Sequence, residues 1–276
     1  MRTPVRVSIV IVGDEILDGY VRDTNSAFLA QRLAALGVPL DRIVTVPDTV
    51  AAIGEALLTE LRRSRARLVV TSGGIGSTPD DVTMRAVASA LGLQLVEHPV
   101  IAERLHDLIA RARDDGRAYD EEQAQALLRM ALTPAGADPL HGAVGAAPGV
   151  LLSLDGGLDA SGGAAVVILP GVPSELRRIT RDGVEPLLSG RGRPRHVTEL
   201  THPYPESTLT PLLERLQASF PSLAIGSYPG HECTIRLSGE RATVEQAAAR
   251  VRERLDELAG DASAQRAATA WQQRWT

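Results

Sequence analysis

Two short runs concentrate the groups that could handle a phosphorylated ligand. One is Gly13-Asp14-Glu15. The other is Thr71-Ser72-Gly73-Gly74-Ile75-Gly76-Ser77-Thr78-Pro79-Asp80-Asp81-Val82-Thr83. In the second, Gly73, Gly74 and Gly76 let the backbone come close to a ligand, and the hydroxyls of Thr71, Ser72, Ser77 and Thr78 add donors. A helix start expected just beyond them favours an anion. Asp80 and Asp81 open that helix, where acids complement the helix dipole. Beside a phosphate, however, a carboxylate repels unless a divalent cation lies between, and Mg²⁺ is commonly held by one or two carboxylates plus phosphate oxygens. Asp80 and Asp81 are therefore the candidate metal residues, and Asp14 and Glu15 can add ligands or orient a water. The plain alternatives are a tight strand-to-helix turn for the loop and a turn with solvated acids for Asp14-Glu15.

Neither standard phosphate fingerprint fits. The loop has no lysine for a Walker motif, and Pro79 stands where G-x-G-x-x-G needs its last glycine. Pro170-Gly171-Val172-Pro173-Ser174-Glu175 could wall the site or be simple turn chemistry. Residues 142–149 (GAVGAAPG) could face a ligand or be a linker. His98, His106, His141, His196, His202 and His231 form no pair with metal spacing and read as surface or structural. No G-x-S-x-G elbow is present, and Cys233 has no histidine pattern that makes it a nucleophile. Arg62, Arg63, Arg65 and Arg67 read as a solvated helix end.

The elements that must position these runs follow from periodicity. Residues 5–12 (VRVSIVIV) form a β-branched run, a strand buried on both faces as in a parallel sheet. A helix is expected over 25–36, a strand over 40–46, a helix opened by Asp48 or Thr49, a strand over 67–71 and a helix over 80–91. This β-α-β-α-β order predicts a doubly wound α/β fold, in which ligands sit beyond the carboxyl ends of the strands. Both candidate runs fall there. Helices over 99–113 and 120–132, strands over 150–154 and 164–169, and a helix from Ser174 to residue 188 complete a first domain over 1–190. After a linker at 190–194 (GRGRP), a strand-helix-strand-strand-helix set predicts a small α+β domain over 195–260. A flexible tail over 261–276 is expected to follow.

Composition narrows the function classes. The chain has 276 residues, 44% hydrophobic and 23% charged, with a formal charge of -5 and pI about 5.7. That balance, with 3% aromatics, argues against a nucleic-acid partner. A single cysteine excludes an intramolecular disulfide and a Cys-rich zinc site, and fits a reducing cytoplasm. No run approaches the length of a membrane helix, and the apolar run before Asp14 is too short for a secretory leader.

Taken together, Gly13-Asp14-Glu15 with Thr24-Asn25-Ser26, the 73–83 loop, 144–149 (VGAAPG), 169–176 (LPGVPSEL) and Gly226-Ser227-Tyr228-Pro229 resemble the molybdopterin-binding (MoaB/Mog-like) superfamily. Within it they look most like the CinA family and the corresponding domain of eukaryotic FAD synthetase. The resemblance runs from about residue 5 to 258. It implies a three-layer, mostly parallel α/β domain, a KH-like small domain, and a homo-oligomer, dimer or trimer. It also implies divalent-metal-dependent (Mg²⁺, Mn²⁺ or Co²⁺) hydrolysis of a nucleotide pyrophosphate of the ADP-ribose or FAD class. On that reading Asp14, Glu15 and Asp81 are catalytic. Gly13, Asn25, Thr71, Ser72, Gly73, Gly74, Gly76, Ser77, Thr78, Thr83, Pro170 and Gly171 bind substrate, and Asp80 with Asp81 binds metal. A molybdopterin-adenylylating transferase and a non-catalytic nucleotide-binding module are the alternatives. Ser77 replaces a family proline, which would loosen the loop. With the sequence ending at Thr276, the family's C-terminal deamidase domain and its activity are expected to be missing.

Overall fold

The computed structural model describes residues 4–63, 66–114, 119–143, 145–160 and 162–275. The chain divides into two units, Met1–Pro194 and Arg195–Thr276.

The first unit contains strands β1 (Arg6–Val12), β2 (Leu40–Val46), β3 (Arg67–Ser72), β4 (Leu95–Glu97), β5 (Leu132–Pro134), β6 (Ala137–Pro139), β7 (Val150–Leu154) and β8 (Ala164–Leu169). Its helices are α1 (Asp14–Leu17), α2 (Asn25–Ala35), α3 (Val50–Leu61), α4 (Thr83–Ala90), α5 (Pro99–Asp114), α6 (Glu121–Leu128), α7 (Pro173–Ile179) and α8 (Glu185–Leu188). Six strands make one sheet in the order β2-β1-β3-β8-β7-β6. The first four are parallel and the last two antiparallel. The inner parallel strands β1, β3 and β8 are buried on both faces because their residues alternate between two cores, whereas the edge strand β2 is only partly covered. Val10 and Val12 of β1 pack with Ile53 and Leu57 of α3, Val87 of α4 and Leu105 of α5. Val7, Ile9 and Ile11 pack on the opposite face with Leu29 and Leu33 of α2 and Leu176 of α7. Each such fully buried aliphatic side chain contributes about 1.5–3 kcal/mol relative to exposure.

Four sequence expectations need correction in this unit. Helix α4 begins at Thr83, not Asp80, because the Thr83 amide bonds to Gly74 O (2.9 Å) and the residues before it form a turn. The three-residue strands β4, β5 and β6 carry too little periodicity to be read from sequence. The helix expected from Ser174 starts at Pro173 and is interrupted by a π-helical turn at Thr180–Val184. Arg67 is 1% exposed and not solvated: its guanidinium donates to Ser8 Oγ (2.7 Å) and Asp41 Oδ2 (2.6 Å), and Ser8 donates to the equally buried Glu60 (2.6 Å). Arg65, from the same expectation, lies outside the described residues.

The second unit carries β9 (His196–His202), α9 (Thr210–Ser219), β10 (Ala224–Tyr228), β11 (Cys233–Gly239), α10 (Arg241–Ala259) and α11 (Ala262–Gln272). Its sheet is antiparallel in the order β10-β11-β9. Cys233 is fully buried opposite His202, a register that sequence spacing does not reveal. The expected flexible tail is instead mostly helix. Asp261 caps α11 by accepting from the amides of Ser263 and Ala264, and Ala264 and Ala268 pack into the unit's core. Alanines at four-residue spacing bury a narrow stripe that composition alone conceals.

Candidate functional site

The register of the parallel strands aligns their carboxyl ends. Val12 pairs with Val46, Ile11 with Ser72, and Ser72 with Leu169. Gly13, Gly73 and Pro170 therefore leave the sheet side by side, with Pro47-Asp48 following the adjoining strand. Two backbone bonds stitch these exits together, Gly13 N–H to Val46 O (3.2 Å) and Gly73 N–H to Leu169 O (3.1 Å). The candidate runs thus meet at one place, as the topology of a parallel sheet requires.

At this edge the glycines are geometrically necessary. Gly73 has φ +109°, and a Cβ there would lie 2.1 Å from Val12 O. Gly74 has φ +65°, and a Cβ would lie 2.5 Å from Thr83 Oγ1. The Thr83 hydroxyl itself donates to Gly73 O (2.8 Å), pinning the loop to the first turn of α4. Asp81 closes the outer end, where its Oδ2 accepts from the Thr78 amide (2.9 Å) and hydroxyl (2.5 Å). Between these anchors the amides of Gly74, Ile75, Gly76 and Ser77 carry no hydrogen bond among the described residues. Four consecutive unused donors in a glycine-rich turn form a concavity suited to an anion. The Gly73 amide does not belong to this set, since the ladder uses it.

Asn25, at the start of α2, ties the other side. Its Nδ2 donates to Gly171 O (2.7 Å) and Ser72 Oγ (3.1 Å), and Ser72 Oγ donates to Pro170 O (3.1 Å). The Asn25 side chain is buried and its Oδ1 has no partner. The structure thus brings together Asn25, Ser72, Pro170, Gly171 and the loop. Thr71 departs from expectation. It is wholly buried within β3 and its hydroxyl has no partner, so it lies beneath the site and not at its mouth.

Asp14 and Glu15 begin the short helix α1 and are exposed. Glu15 folds back over Gly13, where its carboxyl fills the space a Cβ would take. The Asp14 amide donates to Asp48 Oδ2 (2.8 Å). Asp48 is the residue that sequence reasoning passed over as a helix cap. Thr49 caps α3 instead, accepting from Ala52 N, which leaves Asp48 to face the loop. Burial holds its carboxyl above the ordinary range, and the nearby charges of Glu15, Asp14 and Asp80 push the same way, against the Asp14 hydrogen bond. The available signal was its position: Asp48 follows the carboxyl end of a parallel strand, as Asp14 and Gly73 do.

A second pair was also missed. The Arg104 guanidinium donates to the carbonyls of Gly145 and Ala146 (both 3.0 Å). Glu175, in the first turn of α7, lies so close to Gly145 that any Cβ there would collide with it. Burial raises the Glu175 carboxyl, while the Arg104 charge lowers it. The 144–149 and 169–176 motifs are therefore joined through these two side chains. Val144 lies outside the described residues. Among the described residues no three His, Cys, Asp or Glu side chains converge closely enough to hold a metal ion alone, and no helix is long and apolar enough to cross a membrane.

The arrangement can be set beside known proteins. Residues 8–190 match the family described as "Probable molybdopterin binding domain". A protein of Aeropyrum pernix is 36% identical over 274 residues, covering 94% of this chain and 96% of its own. A protein of Pyrobaculum calidifontis is 38% identical over 224 residues, covering 80% and 79%. The crystal structure of the protein CinA with unknown function from Thermoplasma acidophilum superposes with a TM-score of 0.54 at 33% identity, over 66% of this chain and 97% of that one. The matched span coincides with the unit that carries the loop, Asn25 and the four aligned strand ends. The chain belongs to the family of probable molybdopterin-binding domains, as a CinA-like member.

Proposed function

We propose that the first unit is a divalent-metal-dependent hydrolase of a nucleotide pyrophosphate, of the ADP-ribose or FAD class. The observation that carries this reading is the run of four unpartnered amides, Gly74 to Ser77, in a loop whose Gly74 lies against Asp48, with the charges of Asp14, Glu15 and Asp80 close to that carboxylate. The amides suit phosphate oxygens. Asp48, with its carboxyl held above the ordinary range, suits removal of a proton from an attacking water as the P–O bridge of the diphosphate breaks and a nucleoside monophosphate leaves. Asp14 or Glu15 orients that water. Asp80 and Asp81 would hold the metal. One or two carboxylates suffice for Mg²⁺ when phosphates and waters complete its oxygen shell, so Asp80 and Asp81 could serve without the three-residue cage that is absent among the described residues. Bound there, it would supply neutralisation of charge on the phosphoryl oxygens.

The family description is equally compatible with a second reading, a molybdopterin-binding protein, for which adenylylation of the bound pterin is the reaction we propose. The same amides would serve that reaction. A silent nucleotide-binding module is a third, weakened by the acids at the mouth, which binding alone does not require.

The test is turnover by the full chain, offered ADP-ribose, FAD and NAD separately with Mg²⁺, Mn²⁺ or Co²⁺, with AMP followed by chromatography. AMP release that stops with chelator and in Asp81→Asn supports the hydrolase. Asn keeps an oxygen to accept from Thr78, so the loop should survive that substitution. Nucleotide binding with no AMP under any metal would replace the hydrolase with the transferase or the silent module.

A further inference from the structure

A cavity of about 290 Å³ opens between helix α5 and residues 139–143 and 148–149. None of residues 13–15 or 71–83 lines it. Val100, Ile101, Leu140 and Pro148 make its walls apolar, while the half-buried Arg104 and the exposed His141 supply its polar side chains. The space is built into the fold. The Leu140 amide donates to Gly149 O (2.7 Å), which closes the segment at its base. Two glycines press that segment onto α7: a Cβ on Gly142 would lie 2.8 Å from Arg178 O, and one on Gly149 would lie 2.5 Å from Ile179 Cγ2. From the other wall Arg104 reaches the carbonyls of Gly145 and Ala146 (both 3.0 Å).

Arg104 is the group that these contacts leave unanswered. A guanidinium has five N–H donors, and two go to those carbonyls. Elsewhere in this unit Arg6, Arg32, Arg67, Arg178 and Arg191 each sit on a carboxylate. Among the described residues Arg104 has no carboxylate within ion-pair distance. Burial works against its charge, and Glu175, whose charge supports it, does not line the cavity. Drawing a guanidinium out of water costs free energy unless an anion answers it. One cation set in apolar walls, with no serine, threonine or lysine beside it, suits a monoanion with an apolar body and not a phosphate, which calls for several donors. The guanidinium fork matches a carboxylate, and the volume holds about ten water-sized groups. Val100 is 57% exposed, so the apolar wall runs out to solvent where such a molecule would enter. We propose that this cavity binds a small organic carboxylate, with its charge on Arg104 and its apolar body against Val100, Ile101, Leu140 and Pro148. The site stands apart from the hydrolase reading, and either can fail alone.

The experiment is calorimetric titration of the full chain with 3-phenylpropionate, with its neutral amide 3-phenylpropanamide, and with orthophosphate. Wild type is compared with Arg104→Gln, Val100→Glu and Val100→Gln. Val100 and Arg104 lie one turn apart on the same face of α5, so Val100→Glu supplies from within the chain the carboxylate that Arg104 lacks. Val100 is exposed, so both of its variants should fold, which thermal unfolding checks. Wild type should bind the carboxylate saturably, one per chain, and at least about tenfold more tightly than the amide, with no binding of orthophosphate. Arg104→Gln and Val100→Glu should each weaken the carboxylate about tenfold or more, while Val100→Gln keeps most of the affinity. If Arg104→Gln unfolds, the two Val100 variants decide. Equal affinity of wild type for acid and amide overturns the site, as does the absence of saturable binding. Binding to Val100→Glu at wild-type strength overturns it too. AMP release from ADP-ribose or FAD in the same preparation judges the hydrolase separately.

Discussion

Replacing Gly73 with alanine should cost far more than the same change at Gly92, and the difference measures how firmly the loop is held against β1. Both glycines have positive φ, +109° and +67°. An alanine in a left-handed conformation costs about 1–2 kcal/mol. The stiffer unfolded chain returns about 0.4–1 kcal/mol of that. A Cβ on Gly92 meets nothing within 4 Å, so Gly92→Ala should cost about 0–1.5 kcal/mol net. At Gly73 the new Cβ would sit 2.1 Å from Val12 O, a backbone atom at the carboxyl end of β1 held in place by pairing with β2. Overpacking of that kind adds about 1–3 kcal/mol. Urea unfolding followed by circular dichroism should therefore separate the two variants by about 1–3 kcal/mol, and AMP binding should be lost in Gly73→Ala but not in Gly92→Ala. Two variants of equal stability that both bind AMP would show that the loop is not constrained by β1, and the account of the site's rigidity would fail.

Three other outcomes follow from the same structure. Asp48→Asn should lower turnover by about 10²–10⁴-fold. Because the folded-state pKa is raised, the native protein holds more protons than the unfolded chain above the ordinary Asp range of about 3.9, so stability falls as pH rises through that window. The Asn variant should lose this slope and be at least as stable at neutral pH; full turnover would remove Asp48 from the chemistry. Asn25→Ala removes two donated bonds, to Gly171 O and Ser72 Oγ, a loss of about 1–3 kcal/mol by denaturant titration; a loss below about 0.5 kcal/mol would mean that Ser72 and the backbone hold the strand exits unaided. Arg67→Met breaks a buried pair at the amino ends of the strands and should cost about 3–5 kcal/mol while turnover per folded molecule stays unchanged; reduced turnover would tie that network to the site.

The sheet and the loop were legible because their causes are local. The β-branched run of β1, the glycines at 73 and 74, and a helix pattern after each strand all report on the chain within a few residues. What escaped depends on partners distant in sequence. The start of α4 is set by an amide reaching back to Gly74, and Asp81 spends a carboxylate oxygen on Thr78, so the acids that looked like helix caps are not caps. Asp48 acquired its role only when Thr49 took the capping position. Arg67 looked like one of a basic cluster, yet a partner 26 residues away draws it inside. Arg104 and Glu175 carry no motif linking them, and the fold joins them through Gly145.

The position of β8 has a consequence for how such a chain is made. It lies in the middle of the sheet, between β3 and β7, although β3 ends about ninety residues earlier. A chain growing from its N-terminus would form the β2-β1-β3 ladder first and then present β3, with Leu68 and Val70, as an uncovered edge. Asn25 would have no Gly171 carbonyl to hold, and the Gly73 amide would lack Leu169. Acquisition of the proposed ligand site is then a late event of synthesis, coincident with the covering of this exposed edge. Release of a chain before β8 emerges would yield a product that is both inactive and adhesive, and ligand capture by nascent chains of graded length would time the closing of the sheet.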